Sequence, residues 1–203
     1  MMMRWIYWLG WLSFGAAARG LFGLRIKGSE HLITEGPVLV ASNHQSFLDP
    51  PLVGNLYKDE MTYLARKTLF IGVFKWLYAQ WNAIPVDQER PDMASLKTII
   101  RKLKSGNRVL LFPEGQRTHD GSIGEAASGI GLVAIKSGAP IQPIRIRGAH
   151  EALPRGSNRL HFARITISVG PAIILSKEEL KSLSNKAGYE TVTRRIMDSI
   201  KAL

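Results

Sequence analysis

The chain has 203 residues and no cysteine, which excludes disulfides, thiolate metal sites and cysteine nucleophiles. Hydrophobic residues make up 45% and the mean hydropathy is -0.01, values that exclude both a disordered chain and a polytopic membrane protein. Against 27 Lys and Arg stand 16 Asp and Glu, a formal net charge of +11, and such a chain favours nucleic acid, anionic lipid or phosphorylated substrates.

An uncharged aromatic stretch comes first. Residues 5–18 run WIYWLGWLSFGAAA between Arg4 and Arg19, short of the roughly 17–25 residues that span a bilayer as a helix. Trp5, Trp8 and Trp11 recur every three residues, and indole prefers the membrane–water interface. An interfacial helix is therefore predicted, with Arg4, Arg19, Arg25 and Lys27 placed to meet lipid phosphates. A core helix and a signal peptide, the latter suggested by GAAARG, compete with it. Against cleavage, residues 23–27 look like a first strand.

Further along, short apolar runs alternate with helical patterns. Strands are predicted at 24–27, 38–42, 61–65, 83–86, 108–112, 141–147 and 165–169, and helices at 50–57, 69–80, 91–104, 125–137 and 189–202. Strands separated by helices argue for an α/β fold: one domain with a mostly parallel mixed sheet flanked by helices, preceded by the N-terminal interfacial helix. Residues 1–22 form that helix and residues 23–203 the domain. Neither a repeat nor a low-complexity linker marks a second one.

Two segments carry candidate chemistry. Ser42-Asn-His-Gln-Ser-Phe-Leu-Asp-Pro50 follows an apolar run, at the carboxyl end of a strand where open α/β sheets place ligands. Asp49 before Pro50 and Pro51 reads as a helix N-cap. His44, five residues earlier, can donate Nδ1–H to the Asp49 carboxylate, leaving Nε2 as a base near neutral pH. A purely structural hydrogen bond beside a helix cap fits the same spacing. The second segment is Arg108-Val-Leu-Leu-Phe-Pro-Glu-Gly-Gln-Arg-Thr118, a strand that breaks at Pro113 into a polar turn. Gly115 allows close backbone approach or positive φ. Arg117 offers a planar fork suited to phosphate, and Glu114 can pair with it or accept from a substrate hydroxyl. An ordinary turn with a surface ion pair is the plainer reading.

Together these segments resemble the glycerolipid acyltransferase family, which includes lysophosphatidic acid acyltransferases. Asn43, His44 and Asp49 match its first block, and Phe112, Pro113, Glu114, Gly115 and Arg117 its central one. Lys67-Thr-Leu-Phe-Ile-Gly72 and Gly138-Ala-Pro-Ile-Gln-Pro-Ile144 look like the remaining two. The resemblance implies transfer of a fatty acyl group from acyl-CoA or acyl carrier protein to the hydroxyl of a lysophospholipid, most simply lysophosphatidic acid. It implies His44 as general base, Asp49 as its partner, and Lys67, Glu114, Gly115 and Arg117 as the acceptor site. It implies no metal and no organic cofactor. The matching protein would sit peripherally or monotopically on the cytoplasmic face of a membrane, with the lipid surface as partner. The chain departs from the family pattern at Gln116, at Ala126-Ala127 and at Asp87-Gln88, which leaves another lysolipid, such as a lyso-aminolipid, as an alternative acceptor. A non-catalytic lipid-binding protein on the same scaffold is the other alternative. The basic stretch at 145–164, with Arg145, Arg147, Arg155, Arg159 and Arg164, is either a contact for anionic groups or a solvated loop. His150 and His161 within it read as structural. No zinc finger, RRM-type aromatic block or helix-turn-helix pattern supports nucleic acid as a partner.

Overall fold

The computed structural model describes residues 5–86, 93–126 and 129–203. In chain order these form α1 (Trp5–Phe22), β1 (Arg25–Lys27), β2 (Val38–Ser42), α2 (Asp49–Gly54), β3 (Met61–Arg66), α3 (Val73–Gln80), β4 (Ala83–Val86) and α4 (Met93–Lys104). There follow β5 (Arg108–Leu111), α5 (Gly129–Ser137), β6 (Ile141–Arg147), α6 (Ala149–Ala152), β7 (Thr166–Val169), α7 (Lys177–Ser182) and α8 (Lys186–Ala202). The strands build a seven-stranded sheet in the order β1-β7-β6-β2-β5-β3-β4. From β6 to β4 all neighbours are parallel; β7 runs antiparallel to β6, and β1 runs parallel to β7.

β2 and β5 are buried at every residue, which is why residues 38–41 and 109–111 read as apolar runs rather than alternating ones. One face of the sheet packs Ile99 and Leu103 of α4, Val133 of α5, and Val192, Ile196 and Ile200 of α8. α5 and α8 approach so closely that a Cβ at Gly131 would come within 2.0 Å of the Tyr189 carbonyl oxygen, so only glycine fits there. The other face packs Ala18 and Phe22 of α1 with Leu52 and Val53 of α2.

α1 extends past residue 18 to Phe22 and is seated on the domain. Trp11 Nε1 donates to the Tyr57 carbonyl at 2.8 Å, and the Tyr7 hydroxyl accepts from the Met61 amide at 3.1 Å. Trp5, Trp8, Leu9 and Leu12 stay exposed. The helix thus has a buried face of the core kind and an open face of the interfacial kind. It is too short or too polar to cross a membrane, as is every other helix among the described residues.

Several boundaries move, each for a local reason. The helix expected at 69–80 begins at Val73, because Gly72 adopts φ 54° and separates it from a 3-10 turn at Lys67–Leu69. The one expected at 50–57 includes Asp49 and ends at Gly54. The last helix starts three residues early at Lys186, where Asn185 accepts from the Gly188 amide at 2.8 Å. The helix expected at 125–137 starts at Gly129. Positions 127–128 and 87–92, which hold Ala127, Asp87, Gln88, Arg90 and Pro91, lie outside the described residues. α6 and α7 are not among the helices expected from the sequence, although Ser176 and Glu179 close a full capping box at the start of α7.

Candidate active site

The site is built where β2 and β5 end side by side, since their parallel register carries both following loops to one edge of the sheet. The loop after β2 is pinned by its own polar side chains. Asn43 accepts from the Ile146 amide at 2.7 Å and donates to the Ile146 carbonyl at 2.9 Å, extending the β2–β6 ladder with a side chain. Ser46 Oγ donates to the Leu153 carbonyl at 2.8 Å, and Gln45 Nε2 to that of Gly121 at 2.5 Å. The loop after β5 is tied across by the Thr118 amide, which donates to the His44 carbonyl at 2.9 Å.

His44 Nδ1 lies 2.8 Å from Asp49 Oδ2. The same oxygen accepts the amides of Gln45 and Ser46 at 2.6 and 2.7 Å. Asp49 is therefore the first residue of α2, with its carboxylate folded back over the preceding loop, and not the N-cap that its position before Pro50 suggests. It is fully buried, and a buried polar group requires hydrogen-bond partners of this kind. With acceptor oxygen on one side, Nδ1 carries the proton and Nε2 keeps its lone pair. The ring stacks on Phe112, with centroids 3.8 Å apart and planes 11° from parallel, which fixes its tilt. Its side chain is 13% exposed, so it is open at one edge.

Phe112 to Gly115 form a turn closed by the Gly115 amide on the Phe112 carbonyl at 3.0 Å. Pro113 at the second position and glycine at the fourth suit a type I turn. Gly115 sits at φ 72° with no heavy atom near its missing Cβ, so backbone conformation rather than close approach explains the glycine. Glu114 is carried inward. Burial, and then the charge of Asp49, raise its carboxyl from the ordinary 4.5 to about 7, while backbone groups of His44 and Gly124 hold it down from outside full hydrogen-bond geometry. Both its oxygens are buried without a hydrogen-bond partner. A protonated Glu114 can donate to a substrate oxygen, which removes the repulsion expected between a carboxylate and a phosphate.

The raised carboxyl has a stability consequence. A group that binds its proton more tightly when folded makes the native state lose stability as pH rises from its unfolded value toward its folded one. For Glu114 that window runs from 4.5 to about 7, and the penalty persists above it. Glu114→Gln has no proton to lose, so its Tm should fall less than that of the wild type between pH about 5 and about 8. Parallel Tm curves for the two proteins would refute this burial cost.

The Arg117 guanidinium carbon lies over the Phe47 ring, 3.6 Å from its centroid. Its Nη1 is buried without a partner. Arg155 Nη1 donates to the Arg117 carbonyl at 2.5 Å, which brings a second guanidinium alongside. Burial and then Arg155 lower the Arg117 pKa, and Asp49 opposes them. Two adjacent cations with a buried unpaired N–H make an anion-seeking corner beside His44. Arg155 is visible in the sequence only as one arginine of a basic stretch; the loop that delivers it is not a local pattern. Lys67 opens the 3-10 turn after β3 and is exposed at the sheet edge to which the parallel β3–β5 register carries it. His150 packs against Gly121, and the His161 amide donates to the Ala152 carbonyl. Neither histidine joins the His44 cluster.

The acyltransferase family profile matches residues 23–147. The chloroplastic 1-acyl-sn-glycerol-3-phosphate acyltransferase LPAT1 of Arabidopsis thaliana is 30% identical over 82% of this chain and 47% of its own length. The 1-acyl-sn-glycerol-3-phosphate acyltransferase of Pseudomonas aeruginosa is 29% identical over 84% of this chain and 65% of its own. That of Bacillus subtilis is 27% identical over 87% of both. The chain thus spans about half the length of the plant relative and nearly all of the Bacillus one. The crystal structure of the 1-acyl-sn-glycerophosphate acyltransferase PlsC from Thermotoga maritima matches with a TM-score of 0.72 and 26% identity, covering 95% of this chain and 77% of that one. The profile match, which takes in His44, Asp49, Glu114 and Arg117, shows that this chain belongs to the acyltransferase family.

Proposed function

We propose that the protein transfers a fatty acyl group from an acyl thioester to the free hydroxyl of lysophosphatidic acid, giving phosphatidic acid. The observation that carries this reading is the His44–Asp49 pair, 2.8 Å apart, at the edge of a corner formed by Glu114, Arg117 and Arg155. His44 Nε2 takes the hydroxyl proton as the oxygen attacks the thioester carbonyl. The C–O bond forms, the C–S bond breaks, and the imidazolium returns its proton to the leaving thiolate. Asp49 balances the charge that appears on the imidazole in between. Each proton and electron pair is accounted for without a metal or organic cofactor. The donor is acyl-CoA or acyl carrier protein, both of which present the same thioester. Arg117 and Lys67 hold the acceptor's phosphate, and the Glu114-Gly115 turn meets its glycerol oxygens. Arg155 joins Arg117 at the phosphate.

The substrate is a bilayer lipid, so the protein works at a membrane surface. The open face of α1, with its tryptophans, and the net positive charge suit peripheral binding to the anionic cytoplasmic leaflet. The homologues' named substrate supports lysophosphatidic acid over a lyso-aminolipid, as does the guanidinium pair.

The test is thiol release from acyl-CoA with a panel of lysolipids. Lysophosphatidic acid should give the highest kcat/KM. Arg117→Ala should raise the KM for that acceptor by about tenfold to a hundredfold, the loss expected of a charge-assisted contact, with a smaller rise for Arg155→Ala. A better rate with an uncharged or amine-bearing acceptor would reassign the substrate. An unchanged KM in Arg117→Ala would remove that residue from the phosphate site.

A further inference from the structure

Helices of a soluble domain bury one face, and α4, α5 and α8 do so. α3 does not. It carries Val73, Phe74, Trp76, Leu77 and Tyr78 within 8 residues, and none of them is buried. Phe74 and Trp76 are 56% and 54% exposed, and Ile71 and Val73 are 69% and 70% exposed. Its inward support is a short row of rings, Phe70–Tyr78–Trp81, with successive centroids 5.4 and 6.2 Å apart. Single apolar side chains at a surface are ordinary, but four large ones on one turn-and-helix segment mark a contact surface.

Charge identifies the partner. Residues 61–86 contain no Asp or Glu, while Arg66, Lys67 and Lys75 are basic. Residues 1–29 likewise contain no acid beside Arg4, Arg19, Arg25 and Lys27. The two segments adjoin: a Cβ at Gly10 of α1 would sit 3.3 Å from Nε1 of Trp81, the residue just after α3. On α1, Trp5, Trp8, Leu9 and Leu12 are exposed as well. Aromatic and aliphatic side chains interspersed with Arg66, Lys67 and Lys75, with Glu60 held by the Asn82 side chain at 2.5 Å, match the interface of an anionic bilayer.

We propose that α3 and the preceding Ile71 form a second membrane-inserting element, which with α1 seats the protein on anionic phospholipid. This rests on the reading that the substrate is a bilayer lipid, but its test requires no turnover. Because the chain has no cysteine, one introduced thiol reports one position. Phe74→Cys, Trp76→Cys and, on the opposite face of the sheet, Lys177→Cys would each carry an environment-sensitive fluorophore. Vesicles of phosphatidylcholine with phosphatidylglycerol should shift the F74C and W76C probes to the blue. Lipids brominated in their acyl chains should quench them. The K177C probe should do neither. Phosphatidylcholine alone should act more weakly. The unlabelled double variant Phe74→Ser/Trp76→Ser, checked for folding by circular dichroism, should partition onto vesicles at least about tenfold less per aromatic removed.

An F74C probe that behaves like the K177C probe, while a Trp8→Cys probe reports insertion, overturns the proposal. So does an F74C response that grows with protein concentration before lipid is added, because a second copy would then be the occupant. If the α3 probes insert but no thiol is released, the membrane element stands and the acyl-transfer reading falls. If the α3 probes stay silent on an active enzyme, the membrane element falls and the acyl-transfer reading stands.

Discussion

Replacement of His44 by alanine is expected to lower acyl transfer by about 10²–10⁴ while the protein still folds. The loss removes the base that takes the acceptor proton, and it corresponds to roughly 3–5 kcal/mol of transition-state stabilisation. Folding should survive because the surrounding loop does not depend on the imidazole. Asp49 Oδ2 keeps the Gln45 and Ser46 amides at 2.6 and 2.7 Å, and Asn43 keeps both bonds to Ile146. The substitution gives up one hydrogen bond and the stack on Phe112. Thiol release by purified wild type and variant, with Tm and vesicle binding measured on the same samples, decides the matter. Wild-type turnover in a folded variant would end the assignment of His44 as base, and equal loss of Tm would make the effect structural.

Asp49→Asn should lower kcat by a similar factor, about 10²–10⁴, with little change in the acceptor KM. The carboxylate has two jobs that the geometry keeps separable. It gathers three N–H groups onto one buried oxygen, and it supplies the negative charge facing the imidazolium that forms during proton transfer. Asparagine retains the volume and one acceptor oxygen but loses the charge. With that oxygen in place of Oδ2 it accepts the same three donors, and its NH₂ then replaces Oδ1, which is buried without a partner. Asp49→Ala removes the acceptor altogether and leaves the Gln45 and Ser46 amides buried and unpaired, at a cost of about 1–3 kcal/mol each. Chemical denaturation should therefore rank wild type above the asparagine variant and that above the alanine variant. An asparagine variant with an unchanged kcat and a raised KM would place Asp49 in acceptor binding instead.

The parts of the site that are readable in the sequence are those made within a few residues. His44 and Asp49 are five apart, close enough in sequence for a short turn to bring them into hydrogen-bond contact. The turn at Pro113, Glu114 and Gly115 follows from proline's fixed φ and glycine's freedom at φ 72°. β2 and β5 declare themselves as buried strands because both faces are covered, so the runs 38–41 and 109–111 are apolar throughout. The Ser176–Glu179 capping box is equally local and equally legible, though α7 is not among the helices expected from the sequence.

What only the folded chain decides is long-range. Asn43 meets Ile146 because β6 and β2 are neighbours in the sheet, a pairing across 103 positions that no local pattern encodes. Phe112 stacks on His44 because β5 lies on the other side of β2. Arg155 reaches Arg117 through the loop beyond α6, which makes one arginine of a basic stretch part of a two-cation corner. Glu114 titrates near neutrality because tertiary burial strips its carboxyl of solvent, an effect absent from an isolated turn. The physical division is that propensity and short hydrogen bonds act within a few residues and are written in their identities. Strand order and burial arise from packing the whole chain, so the environment of each side chain in the pocket is set by segments distant in sequence.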